Sequence, residues 1–123
     1  MSFAGLIPAD VPAMVSIIET TRREYGVQRR IQSVLELSDR DLYTTYQGLR
    51  SDYFVATHAG APAGGGGIAP LAGAGAETCE LQRMYLSARH RGKGVGRLLL
   101  NECLRRAAVL RFRKCYAETI WEM

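Results

Sequence analysis

The segment CELQRMYLSARHRGKGVGRLLL, residues 79–100, decides the fold because it joins a strand pattern to a helix pattern through a basic, glycine-rich turn. Its first nine residues alternate as the two faces of a β-strand do. One face of this predicted strand carries Cys79, Leu81, Arg83 and Tyr85, and the other carries Glu80, Gln82, Met84 and Leu86. An apolar helical pattern begins at Val95, so the segment predicts strand, turn and helix in that order.

The turn combines two features that folding alone does not favour. Its glycines alternate with other residues inside a basic run: Gly92, Gly94 and Gly96 stand among Arg89, Arg91, Lys93 and Arg97. Like charges repel one another, and glycine is a poor helix former. The first backbone N–H groups of a helix lack partners, and the helix dipole favours anions there. Because glycine lets an anion approach the backbone closely, the turn predicts a phosphate-binding site.

The composition is that of one ordinary globular domain, which we expect to span residues 1–123. Hydrophobic residues make up 47% of the chain and charged residues 23%, and the net charge is +4. Positive charge is concentrated in residues 83–114, where ten lysines or arginines and one acid give a net charge of +9. Such an excess suits an acidic small molecule, a nucleic acid or an anionic surface, and charge alone does not choose among them.

Three cysteines, Cys79, Cys103 and Cys115, have no spacing typical of a metal site. We expect them to be small core residues rather than ligands or nucleophiles, and we expect no metal. No signal-peptide pattern opens the chain, so a reducing, cytoplasmic location is predicted. Residues 53–76 carry no formal charge, but their seven glycines and two prolines exclude a continuous membrane-spanning helix.

Strand and helix patterns alternate along the chain and predict a single α/β domain. The first half is predicted to form a short strand after Met1, a helix from 11 to 23 or 25 that stops near Gly26, a loop at 26–34 and a short helix capped by Ser38 or Asp39. The second half is predicted to form two strands within 52–71 joined by a turn at 60–62, the strand at 79–87, a helix at 95–110 and a strand at 114–120. Four consecutive glycines, residues 64–67, predict a bulge or a close backbone approach, with a flexible linker as the alternative.

Two common phosphate-binding motifs do not fit this turn. The P-loop pattern G-x-x-x-x-G-K-[ST] does not occur in the sequence. A dinucleotide-binding turn follows the first strand and has an acid about 20 residues later, whereas this turn follows a late strand. The turn therefore predicts a different pyrophosphate-binding fold.

The same segment resembles the GNAT superfamily of acyl-CoA-dependent N-acyltransferases, whose signature is [QR]-x-x-G-x-[GA] between the central strand and the next helix. The signature fits in two registers, at residues 89–94 and 91–96, directly after an E-L-x-R-M-Y-L strand. A glycine-rich strand precedes it and CYAET follows the helix, so the resemblance covers essentially the whole chain. It implies an α/β fold with a mixed, mostly antiparallel sheet, a splayed central strand pair and flanking helices.

The resemblance also implies acetyl-CoA as the co-substrate. The pyrophosphate would bind the backbone of the turn, which comprises Arg91, Gly92, Lys93, Gly94, Val95, Gly96 and Arg97. The pantetheine arm would pair with the backbone of Met84 and Leu86 as if it were another strand. An amide near Met84 or Tyr85 would polarise the acyl carbonyl, and an acceptor amine would attack the thioester directly in a ternary complex.

Such a reaction needs a base for the ammonium form of the acceptor and an acid for the departing thiolate. Glu80 on the central strand is the candidate base, with Glu118 and Glu77 as rivals. The alternative interpretation of Glu80 is a solvated or arginine-paired carboxylate. Tyr85 is a weaker catalytic candidate, because it is better explained as a core aromatic residue whose hydroxyl lies at the sheet edge.

The acceptor is expected to be a small-molecule or peptide amine, which the sequence does not identify. Residues of the N-terminal helices could line its pocket, with solvated helix faces as the alternative: Arg22, Arg23, Tyr25 and Tyr46. His58 and His90 are predicted to be surface residues, since neither has a recognisable acid or metal partner in the sequence.

Two features depart from the family pattern. In similar proteins a helix with a thiolate-protonating tyrosine and two further strands follow the ET dipeptide, whereas this sequence ends at Met123. We therefore expect the C-terminal part of the fold to be absent and one sheet edge to be exposed, to be completed by a partner chain or in a homodimer. Arg111 stands where a glycine usually ends the helix, which predicts a different exit geometry.

Two other functions are alternatives to an acetyltransferase. A non-catalytic acyl-CoA-binding remnant would keep the turn and lack turnover. A nucleic-acid-binding domain would explain the basic segment, but the segment has few aromatic residues for stacking, and duplex contact does not need alternating glycines. We therefore expect neither a nucleic acid nor a membrane among the partners.

Overall fold

The computed structural model describes residues 1–24 and 41–117. The elements, in chain order, are β1 (Ser2–Gly5), a 3₁₀ turn (Pro8–Asp10), α1 (Val11–Glu24), α2 (Leu42–Thr45), β2 (Asp52–His58), β3 (Ala61–Pro70), β4 (Thr78–Leu86), a second 3₁₀ turn (Ala88–His90), α3 (Val95–Val109) and β5 (Lys114–Tyr116). Several predicted features lie outside the described residues: Tyr25, Gly26, the loop at 26–34, Ser38, Asp39 and Glu118. No helix within the described ranges is both long and apolar enough to cross a membrane.

The five strands form one sheet in the order β1-β2-β3-β4-β5. Neighbours from β1 to β4 pair antiparallel, and β5 pairs parallel to β4 after the crossover through α3. α1 and α2 pack on one face, where Met14, Ile18 and Leu42 meet Tyr53 of β2. α3 covers the other face, over a core that includes Cys103. The predicted mixed, mostly antiparallel sheet with flanking helices is confirmed.

The four glycines of β3 form a packed strand rather than a linker. All four are buried, and the pairing of β3 with β4 shifts register between Gly65 and Gly67. A Cβ on either of these two residues would lie 2.6 Å from the ring of Tyr53, which is too close for any real side chain. Both predicted features, the bulge and the close approach, are therefore present, and the flexible-linker alternative is wrong.

The bulge in β4 corrects the predicted alternation of this strand. Between matched pairs, β4 has one residue more than β3, and Arg83 there takes a φ of +45°. Before the bulge Leu81 packs beneath α3, whereas after it Met84 and Leu86 do so. The predicted strict alternation is therefore wrong beyond Gln82, because an extra residue moves the following side chains to the opposite face.

The cysteines are free, and two of them belong to the core as predicted. Cys79 and Cys103 are fully buried in the cluster beneath α3, and Cys115 packs against that cluster. Burial raises the pKa of the Cys79 thiol and of the Cys103 thiol to about 12. Both are therefore protonated and inert at neutral pH.

Arg111 does not change the way the chain leaves α3, contrary to the prediction. It takes a φ of +71°, which is the left-handed conformation that a terminating glycine adopts. Its N–H donates to the carbonyl of Ala108, and the Phe112 N–H donates to the carbonyl of Ala107, both at 3.0 Å. These are the two bonds of a Schellman motif. The apolar contact of Phe112 with the core beneath α3 holds that motif in place despite the strain at Arg111.

Candidate active site

The glycine turn presents the first amides of α3 to solvent. Gly94 directly precedes the helix with a φ of +81°, and Gly92 has a φ of +73°. A Cβ at either position would meet nothing within 4 Å, so both glycines are set by backbone conformation rather than by packing. The first intrahelical bond is donated by Leu98 to the carbonyl of Gly94, which leaves the amides of residues 95–97 without helical acceptors. The turn therefore has the geometry of an anion site.

A cleft of about 490 Å³ connects this turn to the end of β4. It is lined by Met84, Leu86, Arg91, Gly92, Gly94, Gly96, Arg97 and Leu100. Seven of these eight residues were predicted from the sequence to bind the co-substrate. Leu100 was missed, and its position four residues after Gly96 on the helix is the signal that could have found it.

Three of the predicted binding residues do not line the cleft. Val95 is buried in the core with Leu86, so that only its backbone is available to a ligand. Lys93 is exposed beside the turn. Tyr85 lies on the opposite face of the sheet, where it packs against the core of α1 and α2.

The side chain of Arg91 ties the turn to the rest of the fold. Its Nε and Nη2 donate to the carbonyl of Leu86 at 3.1 and 3.0 Å, and Nη2 also donates to Thr21 Oγ1 at 3.2 Å. Nη1 forms an ion pair with the Glu24 carboxylate at 3.0 Å. The end of α1 is thereby joined to the end of β4. The backbone N–H of Arg91 donates to the carbonyl of Ala88, so both the side chain and the amide of Arg91 are engaged within the fold.

The described pairing of β4 with β5 ends at Glu80. The two strands pair at three positions, and the last pair joins Glu80 to Tyr116. Beyond it, residues 81–86 of β4 pair with β3 on one side and with no described strand on the other. This edge of β4 leads towards the cleft that Met84 and Leu86 line.

A chain of hydrogen bonds orients the carboxylate of Glu80 on the face of the sheet that α1 and α2 cover. Gln82 Nε2 donates to Glu80 Oε1 at 2.7 Å, and the Tyr46 hydroxyl donates to Gln82 Oε1 at 2.8 Å. Arg83 Nη1 donates in turn to the Tyr46 hydroxyl at 2.9 Å. Glu80 is half-buried and, among the described residues, accepts from the side-chain amide of Gln82.

The rival carboxylates are placed differently. Glu77 is exposed in the loop before β4, and its carboxylate lies 4.0 Å from Arg113. Its backbone carbonyl accepts from the N–H groups of Arg113 and Lys114. Glu118 lies outside the described residues. Within the described part of the chain, Glu80 is therefore the carboxylate at the point where the pairing of β4 with β5 ends.

Arg22 is buried, which the sequence did not suggest. Its side chain is 1% exposed, its Nε donates to the Tyr85 hydroxyl at 3.2 Å, and its guanidinium lies 5.5 Å from the centre of that ring. Tyr46 is also buried, whereas Arg23 is exposed. The solvated-face interpretation is thus wrong for Arg22 and Tyr46, and no local pattern could have indicated it, because Arg22 meets its partner 63 residues away.

The two histidines lie together beside the turn. The rings of His58 and His90 are 5.3 Å apart, and His90 Nδ1 lies 2.6 Å from Ser87 Oγ. Burial lowers the pKa of His90, and His58, Arg89 and Lys93 lower it further. Within the described residues, no three histidine, cysteine or carboxylate side chains are arranged to hold a metal ion.

Comparison with known proteins identifies similar sequences and structures. Residues 14–120 match the model of the acetyltransferase (GNAT) family. The chain is 36% identical over 111 residues to an uncharacterized N-acetyltransferase, YjgM, of Escherichia coli K12. That match covers 89% of this chain and 66% of the relative, so the chain spans about two thirds of the relative's length.

Solved structures share the fold. An acetyltransferase of the GNAT family from Staphylococcus aureus Mu50 superposes with a TM-score of 0.79 at 14% identity, over 97% of this chain and 72% of that one. A predicted acetyltransferase from Clostridium acetobutylicum, solved with acetyl-CoA, gives a TM-score of 0.77 at 14% identity, over 96% of this chain and 80% of that one.

Proposed function

Because this chain belongs to the acetyltransferase (GNAT) family, we propose that residues 1–123 form one N-acetyltransferase domain, which transfers the acetyl group of acetyl-CoA to a primary amine. The observation that carries this proposal is the cleft that joins the glycine turn to the edge of β4 beyond Glu80. A homodimer that completes the sheet edge and a cytoplasmic location stay predictions of the sequence.

The lining of the cleft fits the chemistry of acetyl-CoA. The unpaired amides of residues 95–97 and the exposed side chain of Arg97 suit the pyrophosphate. The apolar side chains of Met84, Leu86 and Leu100 suit the pantetheine arm. When bound, acetyl-CoA supplies a thioester carbon that is open to attack by an amine.

The proposed reaction balances in atoms and charge. The amine nitrogen bonds to the acetyl carbon, and the carbon–sulfur bond breaks. An ammonium acceptor loses two protons overall: Glu80 passes one to solvent, directly or through water, and the other ends on the CoA thiol. A backbone N–H of the bulged segment, at Met84 or Tyr85, donates to the acyl oxygen as negative charge develops on it.

Replacement of the proposed base tests this assignment. Glu80→Gln keeps the bond to Gln82 available but removes the base, so kcat should fall about 100-fold at pH 7 with the Kd for acetyl-CoA unchanged. Release of CoA thiol would be followed over a panel of polyamines, amino acids and peptide N-termini, and binding would be measured by calorimetry.

Glu77→Gln is the matched control, because it changes an exposed carboxylate in the loop before β4, and its kcat should equal that of the wild type. Full activity of Glu80→Gln would contradict the role of Glu80. A wild-type protein that binds acetyl-CoA but releases no thiol with any amine of the panel would favour the non-catalytic alternative.

A further inference from the structure

A hydrogen bond from Tyr53 fixes the direction of one peptide group in the β4 bulge. The Tyr53 hydroxyl donates to the carbonyl oxygen of Arg83 at 2.8 Å. No peptide bond among the described residues is cis, so the Met84 N–H, which shares that peptide plane, points opposite to the Arg83 carbonyl. The Met84 N–H therefore points away from Tyr53.

The position of Tyr53 decides where that direction leads. Tyr53 belongs to β2, and β3 lies between β2 and β4. The ring of Tyr53 lies against Gly65 and Gly67 and reaches the bulge from the β3 side. The Met84 N–H is thus directed towards the other edge of β4, which no described strand pairs with beyond Glu80. Met84 itself lines the cleft at that edge.

The bulge needs support, because a positive φ is unfavourable for a residue with a side chain. Such a conformation persists where its surroundings hold it. Tyr53 holds the carbonyl of Arg83, and Tyr46 accepts from its guanidinium. Burial raises the pKa of the Tyr53 hydroxyl well above its ordinary value, so this hydroxyl donates throughout the working pH range.

We propose that Tyr53 is a positioning residue for acyl transfer, which aims the Met84 N–H at the carbonyl oxygen of the bound thioester. The glycines of β3 leave the space that its ring needs to cross that strand. This inference rests on the proposed function, because it places acetyl-CoA in the cleft. It also selects Met84 over Tyr85 as the amide that polarises the acyl group.

The test uses acetyl-CoA labelled with carbon-13 at its carbonyl, which needs no knowledge of the acceptor. A hydrogen bond polarises the carbonyl, so its carbon resonance should move downfield when acetyl-CoA binds to the wild-type protein. Tyr53→Phe keeps the ring and removes the donor, and we expect it to bind acetyl-CoA but to lose about half or more of that shift. Tyr43→Phe removes a hydroxyl from α2 beside the same core and should keep the whole shift.

The outcomes separate this inference from the proposed function. If the wild-type protein does not bind acetyl-CoA, the proposed function fails and takes the inference with it. If both proteins bind acetyl-CoA with the same carbonyl shift, the role of Tyr53 is overturned while the proposed function stands.

A second measurement needs no variant at position 53 and holds even if Tyr53→Phe does not fold. In wild-type protein labelled with nitrogen-15 at methionine, the Met84 amide is assigned by its loss in Met84→Leu. Its hydrogen should exchange rapidly with solvent in the free protein and slowly after acetyl-CoA is added. Strong protection in the free protein would show that the N–H is bonded internally, and would overturn the proposal.

Discussion

Two glycine-rich segments, residues 64–67 of β3 and residues 92–96 at the start of α3, use the same residue for opposite reasons. In β3 the glycines are buried, and an added Cβ at any of them would lie 3.0 Å or less from a core side chain, such as Tyr53 or Leu86. In the turn, Gly92 and Gly94 are exposed, have open space around them and take a positive φ. The first segment lacks side chains so that the core can close across it, and the second so that the backbone can bend and a ligand can approach.

This difference separates stability from binding. Substitution in β3 should act on the free energy of unfolding, because it displaces rings in the core. Substitution in the turn should act on the affinity for acetyl-CoA, because the space that it fills is outside the core.

The largest effect is expected from Gly67→Ala. Its Cβ would lie 2.6 Å from the ring of Tyr53 and 2.8 Å from that of Tyr46, so both rings must move. We expect the free energy of unfolding in urea to fall by about 3 kcal/mol. Gly75→Ala, where nothing lies within 4 Å and φ is not positive, should change it by less than about 0.5 kcal/mol. Equal stability of the two variants would contradict the claim that the glycines of β3 are required by core packing.

Gly94→Val should affect binding more than folding. The positive φ makes the substitution cost about 1–2 kcal/mol of stability. The new side chain also enters the cleft, so the affinity for acetyl-CoA should fall more than about tenfold. Gly73→Val is the matched control, since Gly73 has a φ of +79°, open space and no part in the cleft. It should lose similar stability and no affinity; an equal loss of affinity in both variants would contradict the site.

The smallest effect is expected at Arg111, whose backbone conformation favours glycine. Arg111→Gly should raise the free energy of unfolding by about 1 kcal/mol, because it relieves the strain at a φ of +71°. The affinity for acetyl-CoA should not change, since residue 111 is at the far end of α3 from the turn. Urea unfolding and calorimetry would measure both quantities, and a loss of stability would contradict the assignment of strain.

The sequence predicted those parts of the site that depend on local order. β4, the turn and the start of α3 follow one another within residues 78–97, so their periodicity and glycines were readable directly. The splayed central strand pair that the family resemblance implies stays a prediction, because the described pairing of β4 with β5 covers only three positions.

The missed features depend on contacts between distant residues. Arg91 meets Glu24 across 67 positions, Arg22 meets Tyr85 across 63, and Tyr53 meets Arg83 across 30. The sequence did not indicate the bulge at Arg83, because a positive φ is usually signalled by a glycine and this position is an arginine. Patterns of neighbouring residues in the sequence do not indicate such contacts.

The most direct test of the central claim, that the glycine turn and its cleft form an acetyl-CoA site, is calorimetric titration of the wild-type chain with acetyl-CoA at low and moderate salt. We expect saturable binding at a ratio near one to one. The affinity should be weaker at the higher salt concentration, because charged groups contribute to the binding of acetyl-CoA. No saturable binding at either salt concentration would contradict the central claim.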